Sequence, residues 1–203
     1  MLRLGIMGGT FDPPHMAHLI MAEQAVAEFR LDMAIFIPSG SPPHKDCASV
    51  TDAEHRYAMT LLATGNNPLF RVSRIEVDRT GPSYSIDTIR QIRGIYGADT
   101  EIYFIIGADE ALNITSWHEA ESLPDIARFI VAPRPCFDLG SLRETLPQRF
   151  HSTLDILSMQ PVYISSTELR SRVLNGESVR YLVPDPINDY IAKYRLYSKG
   201  NNE

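Results

Sequence analysis

Two short stretches hold the side chains best suited to chemistry. "GGTFDPPHMAH", Gly8 to His18, places His15 and His18 three residues apart behind a pair of glycines. "ISSTELR", Ile164 to Arg170, places Ser165, Ser166 and Thr167 ahead of Arg170. Each follows an apolar run and precedes a segment of helical period, so each reads as a strand-to-helix junction. A helix start carries roughly half a positive charge and disfavours a cation by about 0.3–1 kcal/mol. Histidines and an arginine there make sense once an anion docks, because backbone N–H groups, imidazoles, hydroxyls and a guanidinium then share its charge. Two such junctions side by side would cradle a nucleoside triphosphate. A solvated helix start accounts for the histidines equally well. Ser165 and Glu168 have capping-box spacing, which explains those two residues but not Arg170. A metal reading of HxxH finds no further Cys or His at ligand spacing.

The glycines Gly8 and Gly9 are expected to let the backbone approach a ligand and to take positive φ where needed. Asp12 reads as the N-cap of the first helix, with Pro13 next, where its missing N–H costs nothing. In "EIYFIIGAD" a carboxylate at a strand end, Asp109, suits ribose hydroxyls and suits a helix N-cap as well. Trp117 is the only tryptophan. Core packing accounts for most lone tryptophans, but its neighbours Ser116, His118 and Glu119 suit a loop beside a cleft. Lys45, after the prolines of "SPPHKD", is either a solvated loop charge or a phosphate ligand, and Arg134 in "APRP" follows a strand end.

The elements that must position these residues alternate. Strands are expected at Arg3–Gly8, Met33–Pro38, Phe70–Arg79, Glu101–Asp109 and Ala127–Pro135, with one more opening Pro161–Gly176 ahead of its helix. Helices are expected at Met16–Phe29, about Asp52–Ala63, Ser85–Gly97 and Asp185–Tyr194. Thr51 and Glu54 have capping-box spacing at the second of these. Continuous apolar strands between helices indicate a doubly wound, Rossmann-like α/β domain with a mainly parallel sheet covered on both faces. Ligands belong at the carboxyl ends of its strands. No linker or composition shift divides the 203 residues, so one domain is expected over 1–203, with C-terminal helices packed on it and a loose tail at 198–203.

Composition excludes several classes. Hydrophobic residues at 44% and charged residues at 22% describe a globular chain. A net charge of −6 argues against nucleic acid as a partner. Cys47 and Cys136 lack any CxxC spacing. No apolar run is long enough for a signal peptide or a membrane span, so a cytoplasmic protein is expected.

Together "GGTFDPPHMAH" and "ISSTELR" resemble the paired T/HxGH and ISSTxxR signatures of the nucleotidylyltransferase superfamily. From Leu4 to Tyr194, broken mainly at 138–160, the chain resembles the bacterial nicotinate-mononucleotide adenylyltransferases. Ala17 stands where the superfamily usually has glycine, and His118 where many relatives have tyrosine. The resemblance implies transfer of AMP from ATP to nicotinate mononucleotide, with Mg²⁺ arriving on the ATP and no dedicated protein ligand cluster. It implies that Gly8, Gly9, Thr10, Phe11, His15, His18, Ser165, Ser166, Thr167 and Arg170 hold ATP, with Gly107 and Asp109 near the ribose and the second substrate. It implies catalytic roles for His15, His18 and Lys45. The acceptor would meet His44, Lys45, Tyr84, Ser85, Asp109, Trp117, His118 and Arg134, with the Trp117 indole on the pyridine ring. Backbone N–H groups near Ser85 and His118 would receive its carboxylate. A pantetheine-phosphate type of adenylyltransferase and a non-catalytic ATP-binding regulatory module stay open as other readings, as does a homo-oligomer.

Overall fold

The computed structural model describes residues 1–42, 50–134 and 142–198. His44, Lys45, Cys47 and Cys136 therefore lie outside the described residues, as does most of the expected tail.

Strand parity explains the architecture. In β2 (Met33–Pro38), Ile35 and Ile37 point to one side of the sheet and Ala34 and Phe36 to the other. In β4 (Glu101–Gly107), Ile102, Phe104 and Ile106 join the first side, and Tyr103 and Ile105 the second. In β5 (Arg128–Ala132), Phe129 and Val131 are divided in the same way from Ile130 and Ala132. A strand buried on both faces reads as an unbroken apolar run, and each such side chain contributes about 1.5–3 kcal/mol. One face is covered by α3 (Ser85–Tyr96) through Ile86, Ile89 and Ile92, and the other by α1 (Met16–Phe29) through Ala22, Ala25 and Val26. A third apolar cluster joins α2 (Ala53–Thr64), α7 (Ser166–Leu174) and α8 (Asp185–Tyr194) through Met59, Ala63, Leu169, Ile187 and Ile191.

With β1 (Arg3–Gly9), β3 (Phe70–Val72) and β6 (Leu154–Ile156), the six strands run parallel in the order β3-β2-β1-β4-β5-β6. The chain leaves β1 toward β2 and β3, then returns to the other side of β1 as β4. The strand order therefore reverses between β1 and β4, where a crevice opens at the carboxyl ends. The short helices α4 (Ala108–Leu112), α5 (Leu123–Ile126) and α6 (Leu142–Thr145) follow β4 and β5. Among the described residues no helix is long and apolar enough to cross a membrane.

Four expectations need correction. The strand expected over Phe70–Arg79 stops at Val72, because the chain turns back at Arg74, whose carbonyl accepts from Asp78 N at 2.9 Å. Its side chain meets Glu54 at 2.6 Å and Asp78 at 2.9 Å. The strand expected at the start of Pro161–Gly176 does not form: the sheet edge beside β5 is already taken by β6, from a stretch assigned no element. The Glu101–Asp109 strand ends at Gly107, and Asp109 lies inside the first turn of α4, so Gly107 and not Asp109 is the N-cap. At α2 the N-cap is Asp52, accepting from Glu54 N at 2.8 Å, and not Thr51.

Candidate active site

One end of the crevice forms where β1 runs out. Gly8 and Gly9 belong to β1, with strand backbone, so the positive φ expected of them falls instead on Phe11, at 51°. Phe11 is buried against Phe36 and meets the His18 ring edge-on at 5.0 Å. Asp12 does not cap α1. His15 occupies the N-cap position, and its N–H donates to His18 Nδ1 at 3.2 Å.

That bond decides the tautomer. A neutral imidazole accepting at Nδ1 carries its proton on Nε2, so His18 keeps an N–H donor on its other nitrogen. The two rings stack at 3.7 Å. Burial, reinforced by the Arg134 charge, pushes His15 down to about 3. Burial, then His15 and Arg134, hold His18 well below the usual histidine range. Both rings are neutral near pH 7, so the helix start faces two neutral donors and not the two cations its sequence suggested. An arriving anion would draw protons toward them.

The second junction is strapped to the first. Ser165 caps α7, accepting from Glu168 N at 3.2 Å, as its sequence spacing implied. Ser166 Oγ donates to Pro13 O at 2.9 Å, and Arg170 Nη1 donates to Asp12 O at 2.8 Å. Arg170 Nη2 donates to Thr167 Oγ1 at 3.3 Å. The Asp12 carboxylate is itself held, accepting from Tyr197 OH at 2.7 Å and Thr51 N at 3.2 Å. Asp12 is thus a hub joining the first motif, the second motif and the C-terminal segment, a role its local sequence did not signal.

At the other end, Trp117 is half-buried and meets Phe104 edge-on at 5.8 Å. Tyr84 is the N-cap of α3 and stacks on His118 at 4.3 Å. Arg90 and Glu119 pair at 2.6 Å and fasten that loop to α3. Between the two ends, Arg134 Nε lies 3.2 Å from Asp109 Oδ1. Gly107 sits beneath this pair, and a Cβ there would run into both side chains.

One cleft of about 410 Å³ is lined by Gly8, Gly9, Thr10, Phe11, His15, His18, Tyr84, Ser85, Gly107, Asp109, Trp117, His118, Arg134, Ser165, Ser166, Thr167 and Arg170. Every described candidate from the sequence lines it. His44 and Lys45 lie outside the described residues. Sequence reasoning missed Ser39, Glu76 and Ser83, which also line it. Glu76 is 6% exposed and accepts from Thr88 Oγ1 at 2.5 Å. No sequence signal marked it, since Glu76 alternates with Ile75 and Val77 on the polar positions shared by Arg74 and Asp78.

A parallel sheet opening at its switch point onto two helix starts that gather anion-binding donors defines a nucleotide-binding α/β protein. The family model described as "Cytidylyltransferase-like" matches residues 6–172. A Thermoanaerobacter sp. (strain X514) protein is 47% identical over 201 residues, 98% of this chain and 95% of its own length. A Moorella thermoacetica protein is 48% identical over 198 residues, 96% and 91%. Both are named "Probable nicotinate-nucleotide adenylyltransferase". The solved structure of Plasmodium falciparum nicotinic acid mononucleotide adenylyltransferase complexed with NaAD shares the fold, with a TM-score of 0.81 at 21% identity over 97% of this chain and 98% of that one. The chain belongs to the cytidylyltransferase-like nucleotidyltransferases, in the nicotinate-nucleotide adenylyltransferase branch.

Proposed function

We propose that the chain transfers AMP from ATP to the phosphate of nicotinate mononucleotide, releasing pyrophosphate and forming deamido-NAD. The observation that carries this reading is one cleft with imidazoles, hydroxyls and a guanidinium at one end and a half-buried indole at the other. An acceptor phosphate oxygen attacks the α-phosphorus as the bond to the pyrophosphate oxygen breaks. That oxygen is already anionic, so no base is needed, and the work is alignment and charge neutralisation. His18 Nε2–H donates to the α-phosphate, His15 supports it, and Ser165, Ser166, Thr167 and Arg170 hold the β- and γ-phosphates. Gly8, Gly9, Thr10 and Phe11 lie along the nucleotide, and Asp109 with Gly107 meets ribose hydroxyls.

Trp117 stacks on the pyridine ring, beside the stacked rings of Tyr84 and His118. Backbone N–H groups at Ser85, which opens α3, and at His118 receive the carboxylate. His44 and Lys45, by the family pattern, align the acceptor phosphate, and Arg134 adds positive charge nearby. Among the described residues no three His, Cys, Asp or Glu side chains are grouped to hold a metal ion. The cleft's imidazoles, hydroxyls and guanidiniums suit phosphate oxygens, and Glu76, Asp109 and Glu110 are its carboxylates. By the family pattern, Mg²⁺ would arrive on the triphosphate, where it would neutralise phosphate charge.

The test is pyrophosphate release from ATP and Mg²⁺ with nicotinate mononucleotide, its amide and pantetheine phosphate as separate acceptors. Nicotinate mononucleotide is expected to lead its amide by about 10²–10⁴ in kcat/KM, a range polar recognition can reach. Preference for pantetheine phosphate, or no turnover with any acceptor, would overturn the reading.

A further inference from the structure

Arg56 is 2% exposed in α2 and lies behind the cleft wall, outside its lining. Burying a guanidinium is costly unless it is hydrogen-bonded or paired, and an apolar side chain would serve packing alone. Its donors go to main-chain carbonyls on three separate segments. Nε donates to Thr51 O at 2.7 Å, Nη1 to Thr10 O at 2.8 Å and Nη2 to Gly40 O at 3.3 Å.

Two of those segments belong to opposite substrates. Thr10 follows β1 on the nucleotide side. Gly40 follows β2, and its loop is fastened to the acceptor side. Gly40 N and Ser41 N both donate to Ser83 Oγ, at 3.1 Å and 3.2 Å, and Ser83 N donates to Ser41 O at 2.9 Å. Ser83 leads straight into Tyr84 and Ser85. The loop has no slack beneath it, since a Cβ at Gly40 would overlap the Glu76 carbonyl oxygen. The planar guanidinium is a rigid fork, so it fixes the separation of the carbonyls it joins.

We infer that Arg56 is a positioning residue that holds the nucleotide loop at Thr10 and the acceptor loop at Gly40 at one separation, so that the attacking phosphate and the α-phosphorus meet in line. The inference rests on the adenylyl transfer proposed above. In-line transfer depends steeply on alignment, so releasing either loop affects both substrates although Arg56 touches neither.

The test measures kcat, both KM values and Tm for the full chain and for Arg56→Lys and Arg56→Met. Loss of the fork in the Met variant is expected to raise both KM values and lower kcat, each by about tenfold or more. Lysine keeps the charge but not the fork, and is expected to fall between the two. KM does not depend on the fraction of enzyme that is folded, so a merely structural role would lower Tm and apparent kcat and leave both KM values in place. KM values within about twofold of the native ones in a folded variant would overturn the inference. If the Met variant does not fold, the Lys variant decides alone; failure of both to fold assigns Arg56 to folding and also overturns it. A native chain without turnover would overturn the proposed function itself, whereas an active native chain with unaltered variants would overturn this inference alone.

Discussion

At the end proposed to hold the nucleotide, His15 is 2% exposed, stacked on its partner imidazole beside two helix starts strapped together. At the end proposed to hold the acceptor, the His118 side chain is 49% exposed, on a short turn held by the Arg90–Glu119 pair. The contrast matches two tasks. Stabilising charge in a transition state requires donors that are already fixed and partly dry. Choosing between acceptors of nearly equal shape requires one flat ring and a few correctly aimed N–H groups, which loops can supply. The nucleotide end is therefore expected to carry rate, and the acceptor end to carry choice.

The largest effect should come from His18→Ala, which is expected to lower kcat by about 10²–10³ with a much smaller change in the KM for ATP. Steady-state kinetics check this, and a kcat within about threefold of native would remove His18 from the chemistry. Arg170→Ala should weaken ATP more than AMP, by roughly 1.5–3 kcal/mol, because its cation is assigned to the distal phosphates. Calorimetric titration with both nucleotides reads the difference. Arg172→Ala is the control, since that side chain pairs with Glu168 at 3.3 Å and donates to Ser178 O at 3.2 Å.

Trp117→Ala is expected to weaken the acid and the amide acceptor alike, by roughly 1–3 kcal/mol if the ring behaves as a base-stacking platform. Their ratio should stay largely intact in the same assay. A separate effect, on stability and not on catalysis, concerns pH. The folded-state pKa of His15, about 3, lies below the unfolded value of 6.5. Between those limits the unfolded chain binds the proton and the native chain does not. Stability is therefore fully present above the unfolded pKa and falls as pH drops, by up to about 1.4 kcal/mol per pH unit for each such imidazole. Thermal unfolding at several pH values should show this slope, reduced in His15→Gln and flattened by ATP, whose phosphates favour the charged ring.

The two ends also differ in how much of them could be read from residue order. The helix at Met16–Phe29 and the strand at Met33–Pro38 form over the expected residues, because a period of 3.6 or an unbroken apolar run records local burial directly. The strand-to-helix junction of the first motif was legible for the same reason, whereas at the second only the helix start at Ser165 was, since no strand precedes it. Asp12 was not, because its partners Thr51 and Tyr197 are 39 and 185 residues away. Arg56 was not singled out, because only the tertiary fold brings Thr10 and Gly40 to it. β6 was missed because three residues at a sheet edge leave almost no periodic signal. On the proposed acceptor side, Tyr84, Ser85 and His118 were named through family likeness, since a helix cap, the first residue of a helix and a turn residue carry no period of their own.

The division between rate and choice is tested most directly by the acid-to-amide ratio of kcat/KM, measured on the native chain and on His18→Ala. Removing the nucleotide-end imidazole should lower both values by about 10²–10³ and leave their ratio within about threefold of native. A ratio that collapses toward one would show that the nucleotide end also selects the acceptor, and would contradict the account.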